Sequence, residues 1–264
     1  MLRFKLGKVD ANSEFAYGVH RAEFLNTSMA LDPTTFFMFP TYPNPSMSAN
    51  AFVEPTDWFS FGAGIYDGDG ALGVPTGRRS ISAAIEDFND IFSIGEAKLS
   101  WTLGGNEGSF KAGAWYHDSS FTRFDGAADR GTAGWYAGLD QVLLRENPDV
   151  DDDTQGLGFF AQYGAADDHI SPIGSHWGTG VAYTGLIAGR DGDICGFGVT
   201  AANLSRDPGA GFSSRAETAF ELFYKAQLTP WLTLKPDIQY IRNPGGAAGV
   251  DDAVAATLRL ELSF

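Results

Sequence analysis

Apolar and polar residues alternate along this chain with a period of two, and the last thirteen residues show the pattern most plainly. Val254, Ala256, Leu258, Leu260, Leu262 and Phe264 fall on one face of an extended strand, and Thr257, Arg259, Glu261 and Ser263 on the other. A strand with a wholly apolar face, charges opposite and an aromatic at its end suits the closing strand of a transmembrane β-barrel.

The same alternation predicts about twelve strands, an antiparallel up-and-down arrangement within a single barrel domain spanning residues 1–264. Their expected ranges are Leu2 to Lys8, Ser46 to Val53, Trp58 to Tyr66, Ile91 to Gly104, Gly108 to His117 and Gly134 to Leu144. These are followed by Gly156 to Gly164, His176 to Ala188, Asp193 to Asn203, Arg215 to Leu228, Trp231 to Ile241 and Asp252 to Phe264. The connections alternate too. Short turns at Glu54 to Asp57, Gly105 to Glu107, Gly189 to Gly192 and Thr229-Pro230 exchange with longer loops, as periplasmic turns and extracellular loops do in such barrels. Arg145 to Gln155 is the exception, long for a turn on the short side. Val9 to Pro45 and Asp67 to Asp90 are the longest connections, of a length that is usually functional or disordered.

Parity assigns the faces, because a Lys or Arg turned to lipid near the bilayer midplane costs about 2–4 kcal/mol. The charged parity must face the lumen. Arg3 and Lys5 therefore point inward on the first strand, as do Glu96 and Lys98 opposite Ala97, Leu99, Trp101 and Leu103. Lys111, Trp115 and His117 share an inward parity, as do Glu217, Glu221, Lys225 and Gln227 against Phe220, Leu222 and Tyr224. Lys235, Asp237 and Gln239 oppose Leu234, Pro236, Ile238 and Tyr240, and Arg259 and Glu261 complete the set.

Composition removes the main alternatives. The chain has 33 Gly and 21 Phe but no apolar run near the roughly 18 residues that a spanning helix requires. A net charge of -15 argues against a nucleic-acid partner, which needs clustered Lys and Arg. The surplus acid falls mostly in loops. The run Asp149, Asp151, Asp152, Asp153 lacks the spacing of a Ca²⁺ loop and reads as a solvated turn. A single cysteine, Cys195, leaves no internal disulfide to form; sharing a face with Phe197 and Val199, it reads as a small apolar wall residue. Met1 runs straight into the first strand without the pattern of a signal peptide.

Inward Lys, Arg, Glu, Asp and Gln with interspersed aromatics make a polar lumen without a dominant sign. Such a wall suits neutral polyhydroxylated solutes, whose hydroxyls bond to donors and acceptors alike while aromatic faces take the apolar ring. The same charges, paired with one another, could instead only solvate a structural lumen. His117-Asp118-Ser119-Ser120 gathers hydrolytic residue types at a strand end, and a membrane-barrel enzyme is the alternative it raises. Neighbouring strand residues face opposite sides, so adjacency does not make a relay. Gly62-Ala63-Gly64 and Gly178-Thr179-Gly180 precede no helical pattern and read as places where walls bend or side chains pack closely. His20, His169 and His176 lack metal spacing and are expected in loops or at the rim. No cofactor is expected.

The C-terminal third carries a more specific signal. Glu221-Leu222-Phe223-Tyr224, the stretch from Leu228-Thr229-Pro230-Trp231 to Gln239-Tyr240-Ile241, and Asn243-Pro244-Gly245-Gly246 resemble the closing hairpin of the carbohydrate-selective porins of the OprB type. Leu6-Gly7-Lys8, Pro40-Thr41-Tyr42-Pro43, Gly64-Ile65-Tyr66-Asp67-Gly68, Gly185-Leu186, Gly189-Arg190-Asp191 and Phe264 extend the similarity over essentially the whole chain. The resemblance implies a bacterial outer-membrane channel for passive diffusion of glucose and related sugars, lying in outer-membrane lipid. It also implies a pore narrowed by inward-folded loops and by lumen charges, arginines included. Family members are barrels of about sixteen strands with a signal peptide. The expectation is therefore a chain that begins partway into the family barrel, with a closed barrel of about twelve strands, first strand beside last, as the alternative. Constriction residues from the preceding strands cannot be carried over.

Overall fold

The computed structural model describes residues 1–69, 90–150 and 153–263. Twelve strands form one antiparallel sheet in which each strand pairs with its neighbours in sequence. They are β1 (Leu2–Val9), β2 (Ser46–Thr56), β3 (Phe59–Asp67), β4 (Ile91–Leu103), β5 (Asn106–Thr122) and β6 (Ala128–Arg145). The second half comprises β7 (Gly156–Ala166), β8 (Ile173–Thr184), β9 (Ile194–Leu204), β10 (Ala216–Thr229), β11 (Leu232–Arg242) and β12 (Ala253–Leu262). Along the sheet β1 pairs with β2 and β12 with β11. Phe264, Asp151, Asp152 and most of the Asp67 to Asp90 connection lie outside the described residues.

Some boundaries differ from the pattern-based ranges for local reasons. The β5–β6 hairpin continues well past His117, because a register shift between His117 and Ser120 absorbs the break in alternation and pairing resumes from Ser120 to Thr122. β8 stops at Thr184, short of the expected Ala188. Gly185 there adopts φ 81°, and its N–H bonds the Asp193 carbonyl at 2.8 Å, folding the segment back on itself. Arg190 Nε donates to Asp193 Oδ2 at 2.7 Å and closes that turn.

No helix among the described residues is long and apolar enough to cross a membrane; the strands carry the apolar surface instead. Cross-strand pairs on the outer parity join Phe61 to Ala97, Tyr163 to Trp177, Phe197 to Leu222 and Leu222 to Ile238. Phe4, Phe61, Leu99, Phe110, Trp135, Tyr163, Phe197, Leu222, Ile238 and Leu258 are all exposed on this belt. Cys195 stands opposite Tyr183 and Tyr224 on the same face, as its neighbours in sequence suggest. A continuous apolar band on an up-and-down sheet is the outer wall that a bilayer requires.

The inner face is not simply polar. The connection from Asp10 to Pro45 folds inside and brings Phe15, Met38 and Phe39 against inward Tyr66, Phe92, Trp115 and Tyr136. A second cluster joins Phe24 and Met29 of the connection to Phe160 and Phe223. Phe39 meets Phe92 edge-on at 5.2 Å and Phe24 meets Phe223 at 5.1 Å, the geometry aromatic rings prefer. Small wall residues make the room. A Cβ on Gly198 would lie 2.4 Å from Met29 Sδ, and one on Gly180 2.7 Å from Phe160. Within the connection α1 (Thr27–Ala30) is one turn, capped by Asn26 Oδ1, which accepts from Ser28 N–H at 3.0 Å.

Leu222→Arg places a charge on the outer belt and is expected to destabilise the membrane-inserted fold by about 2–4 kcal/mol. Thr233→Lys, on the inner parity opposite Glu261, is expected to be tolerated. Denaturant titration of the two variants reconstituted in vesicles checks the difference.

Candidate pore lining

An inserted connection brings backbone N–H groups into a space where they need acceptors, and the wall supplies them as carboxylates. Glu96 on β4 accepts through Oε2 from Ala16 N–H at 2.8 Å and from the Tyr136 hydroxyl at 2.7 Å. Asp140 on β6 accepts from His20 N–H at 3.0 Å. Glu221 on β10 takes two successive amides, Leu25 N–H at 2.6 Å on Oε1 and Asn26 N–H at 2.8 Å on Oε2. On the far side of α1, Gln162 Nε2 donates to the Ser28 and Leu31 carbonyls at 2.9 and 3.1 Å, and the Thr200 hydroxyl donates to Ser28 O at 2.9 Å. Asn26 Nδ2 reaches Gln239 Oε1 at 3.0 Å.

Ion pairs add a second set of anchors. Arg21, only 2% exposed, grips both oxygens of Asp32 at 3.2 and 2.9 Å and also donates to the Ala16 carbonyl. His176 of β8 approaches Asp32 Oδ1 with Nε2 at 3.0 Å, while Nδ1 lies 3.0 Å from the Thr34 hydroxyl. Burial alone would raise the Asp32 pKa, but the Arg21 charge and the bonds from His176 and Arg21 outweigh it and bring it from 3.8 to about 2. Glu23 receives Lys225 at 2.8 Å and Lys235 at 3.3 Å, and Lys235 also donates to the Glu23 carbonyl. Glu14 receives Arg3 at 2.8 Å and Lys5 at 2.5 Å.

The inward residues that parity selects thus fall into groups. Arg3, Lys5, Glu96, Glu221, Lys225, Lys235 and Gln239 hold the inserted connection. Glu261 bonds Lys225 at 3.3 Å and Arg259 at 3.0 Å. Asp237 accepts from Gln239 at 3.0 Å, Glu217 accepts from Gly245 N–H at 2.6 Å, and Trp115 sits in the aromatic cluster. Among the described residues the Lys98 and Lys111 side chains make no ion pair or hydrogen bond, and both line the space left beside the connection. Arg21, Asp32, Glu14, Glu23 and Asp140 were not among the sequence-selected positions. Asp140 shares a parity with Tyr136 opposite Trp135 and Leu139, and that pattern could have identified it.

The histidines depart from a loop-or-rim expectation in one case. His176 is a wall residue, fully buried beneath the inserted connection, because Asp32 and Thr34 occupy both ring nitrogens. His20 lies on the inserted connection, and His169, between β7 and β8, faces Asp207 at 3.2 Å. His117 does not form a relay with its neighbours. Its Nε2 lies 3.0 Å from the Gly68 carbonyl and its Nδ1 3.3 Å from Ser119 N–H, while the Ser119 hydroxyl donates to Asp90 at 2.6 Å. Asp118 accepts from Ile91 N–H at 2.6 Å. The cluster fastens strand ends together, and among the described residues no serine hydroxyl bonds the imidazole.

Space remains between the inserted connection and the wall. A cavity of about 510 Å³ lies among Val19, His20, Trp58, Lys98, Ser109 and Asp140. A second, of about 250 Å³, shares Val19, Lys98, Ser109 and Asp140 with it and extends to Arg3, Phe52 and Lys111.

Comparison with known proteins agrees with this architecture. The family model for the carbohydrate-selective porin family, OprB, matches residues 1–264. Porin B of Pseudomonas aeruginosa is 26% identical over 150 residues, which cover 50% of this chain and 32% of that protein. The chain thus spans about a third of the curated relative it matches. The high-pH structure of Pseudomonas putida OprB superposes over 100% of this chain and 70% of its own, with a TM-score of 0.85 at 21% identity. The low-pH structure of the same protein gives 0.63 at 20% identity, covering 100% of this chain and 62% of its own. These two likenesses establish the fold.

Because the Asp32 pKa is depressed, its contribution to seating the inserted connection is complete above pH 3.8 and is lost as pH falls through about 2. Asp32→Asn leaves Arg21 buried without a counter-charge and is expected to cost about 3–5 kcal/mol of that seating at neutral pH. Limited proteolysis between residues 10 and 45 should be slow in the parent protein at pH 5 and rapid in the variant.

Proposed function

We propose, from the fact that this chain belongs to the carbohydrate-selective porin family, OprB, that it serves as a passive diffusion pathway for sugars across a bacterial outer membrane. The family is one of channels rather than enzymes. The observation that carries the reading is the inner wall. Carboxylates and cations of both signs surround a connection folded inside, with cavities left between them. A solute in those cavities meets donors and acceptors at close spacing, and a neutral polyol can satisfy both without bringing a net charge. The inserted connection narrows the path, so size selection follows from packing that does not depend on a moving gate. Solutes move down their gradient through water, and the reading assigns no cofactor and no covalent step.

The setting follows from the outer belt, whose exposed Phe, Leu, Ile and Trp need lipid against them. Outer-membrane lipid is therefore the partner of the outer wall and sugars are the partners of the inner one.

Liposome swelling with the purified, folded protein tests the proposal. Glucose is expected to enter faster than a trisaccharide of the same composition. A folded, heat-modifiable protein that admitted no sugar would contradict the assignment.

A further inference from the structure

On the side of the long connections the outer belt ends beside a charged cleft. A cavity of about 420 Å³ is lined there by Asp168, Ser175, Asn203, Arg206 and Arg215. Ser175 and Asn203 pair across β8 and β9, two residues beyond the Trp177–Ala201 pair and on the same outward parity. Trp177 is exposed and stands opposite Tyr163, which packs on Trp135 at 5.4 Å. Aromatic girdles of this kind mark the level at which the apolar belt of a barrel meets the lipid headgroups. Two residues of strand rise about 7 Å. Ser175 and Asn203 therefore stand at headgroup level, with Arg206 and Arg215 near the two ends of the β9–β10 connection that follows.

The backbone around both arginines is fixed, and their guanidinium groups are uncommitted. Ser205 N–H bonds the Pro172 carbonyl at 2.9 Å, and the Ser205 hydroxyl donates to the Asp168 carbonyl. Asp207 accepts from Gly209 N–H at 2.9 Å and faces His169 at 3.2 Å, so the carboxylate next to Arg206 in sequence is engaged elsewhere. Leu204 N–H bonds the Arg215 carbonyl at 2.9 Å. Both arginine side chains are exposed, and among the described residues neither makes an ion pair or hydrogen bond. Arg123, on the β5–β6 connection, is by contrast paired with Asp125 at 3.3 Å. Asn203 Nδ2 donates to Ser175 Oγ at 3.0 Å, which leaves the serine proton available to an acceptor. Among the described residues Asp168 is the one carboxylate in the lining, so the cleft sets two cations against one anion in a chain of net charge -15.

We infer that Arg206 and Arg215, with Ser175 and Asn203, bind the phosphate of a phosphorylated lipid in the leaflet on the side of the long connections. Guanidinium groups match phosphate oxygens with paired N–H donors, and the Ser175 hydroxyl adds a third donor group. A lipid fits better than a soluble anion because the cleft adjoins the belt. Past Ser175 and Asn203 the same parity runs through Trp177, Val199 and Phe197, apolar side chains along which acyl chains lie. The site rests on the outer-membrane reading above and gives the outer wall a specific lipid contact. It uses none of the anchors of the inserted connection, so the site and the sugar pathway fail separately.

Binding of lipid A, a bisphosphorylated glucosamine disaccharide lipid, to the folded full chain in non-ionic detergent tests the site, with native mass spectrometry counting the bound lipid. The parent protein is expected to bind lipid A saturably and its dephosphorylated form about tenfold or more weakly. Arg206→Gln and Arg215→Gln should each weaken lipid A binding about tenfold or more, since each removes a charged donor. Arg242→Gln removes an equal charge at the same rim, beside Asp252 and outside the cleft, and should change binding by less than about twofold. No loss in either cleft variant, or equal losses in all three, would overturn the site. Should a cleft variant fail to fold, as judged by heat-modifiable migration, the phosphate dependence of the parent decides. Equal binding of the dephosphorylated lipid would overturn the assignment to its phosphate. Displacement of lipid A by an equal concentration of inorganic phosphate would overturn the assignment to a lipid. A parent protein that binds lipid A yet admits no glucose to liposomes would remove the sugar reading and leave this site standing.

Discussion

The structure depends on wall carboxylates that accept hydrogen bonds from the backbone of the inserted connection. A segment as long as Asp10 to Pro45 has many more N–H groups than its few short turns can use. Inside the sheet these groups must find acceptors or be solvated. Glu96, Asp140 and Glu221 provide carboxyl acceptors at three separate strands, and each amide they hold fixes another point of the path. Hydrogen bonds to a charged acceptor are worth about 1.5–3 kcal/mol each, roughly twice a neutral one. The aromatic clusters then fill the spaces between anchors, so polar and apolar contacts specify the same placement.

That arrangement also explains why the lumen is crowded with charge yet leaves little of it free. Arg21, Glu23 and Glu14 on the connection meet Asp32, Lys225, Lys235, Arg3 and Lys5, and each of these pairs is satisfied. A pore lined only by such pairs would be held open without choosing its solute.

Much of this fold is legible in the sequence because lipid enforces parity. A charge facing the bilayer is expensive, so Glu221 against Leu222, or Lys235 against Leu234, fixes inside and outside without reference to any other strand. The strand count, the alternating connections and the outer belt follow from that rule. Parity does not say what an inward residue touches. Phe223, Tyr136 and Trp115 share the parity of charged neighbours and look out of place in a water-filled lumen until Phe24 and Phe39 of the connection are seen against them. The hint was compositional: Phe15, Phe24, Phe36, Phe37 and Phe39 are too many for a solvated loop. The Asp32–His176 contact, between residues 144 apart, had no signal in any local pattern.

Amide hydrogen exchange at Ala16, His20, Leu25 and Asn26 tests the anchoring most directly. All four amides should exchange far more slowly than those of an unstructured chain. Glu221→Ala should release Leu25 and Asn26 while leaving Ala16 and His20 protected. Exchange of all four at unstructured rates in the folded parent protein would contradict the account.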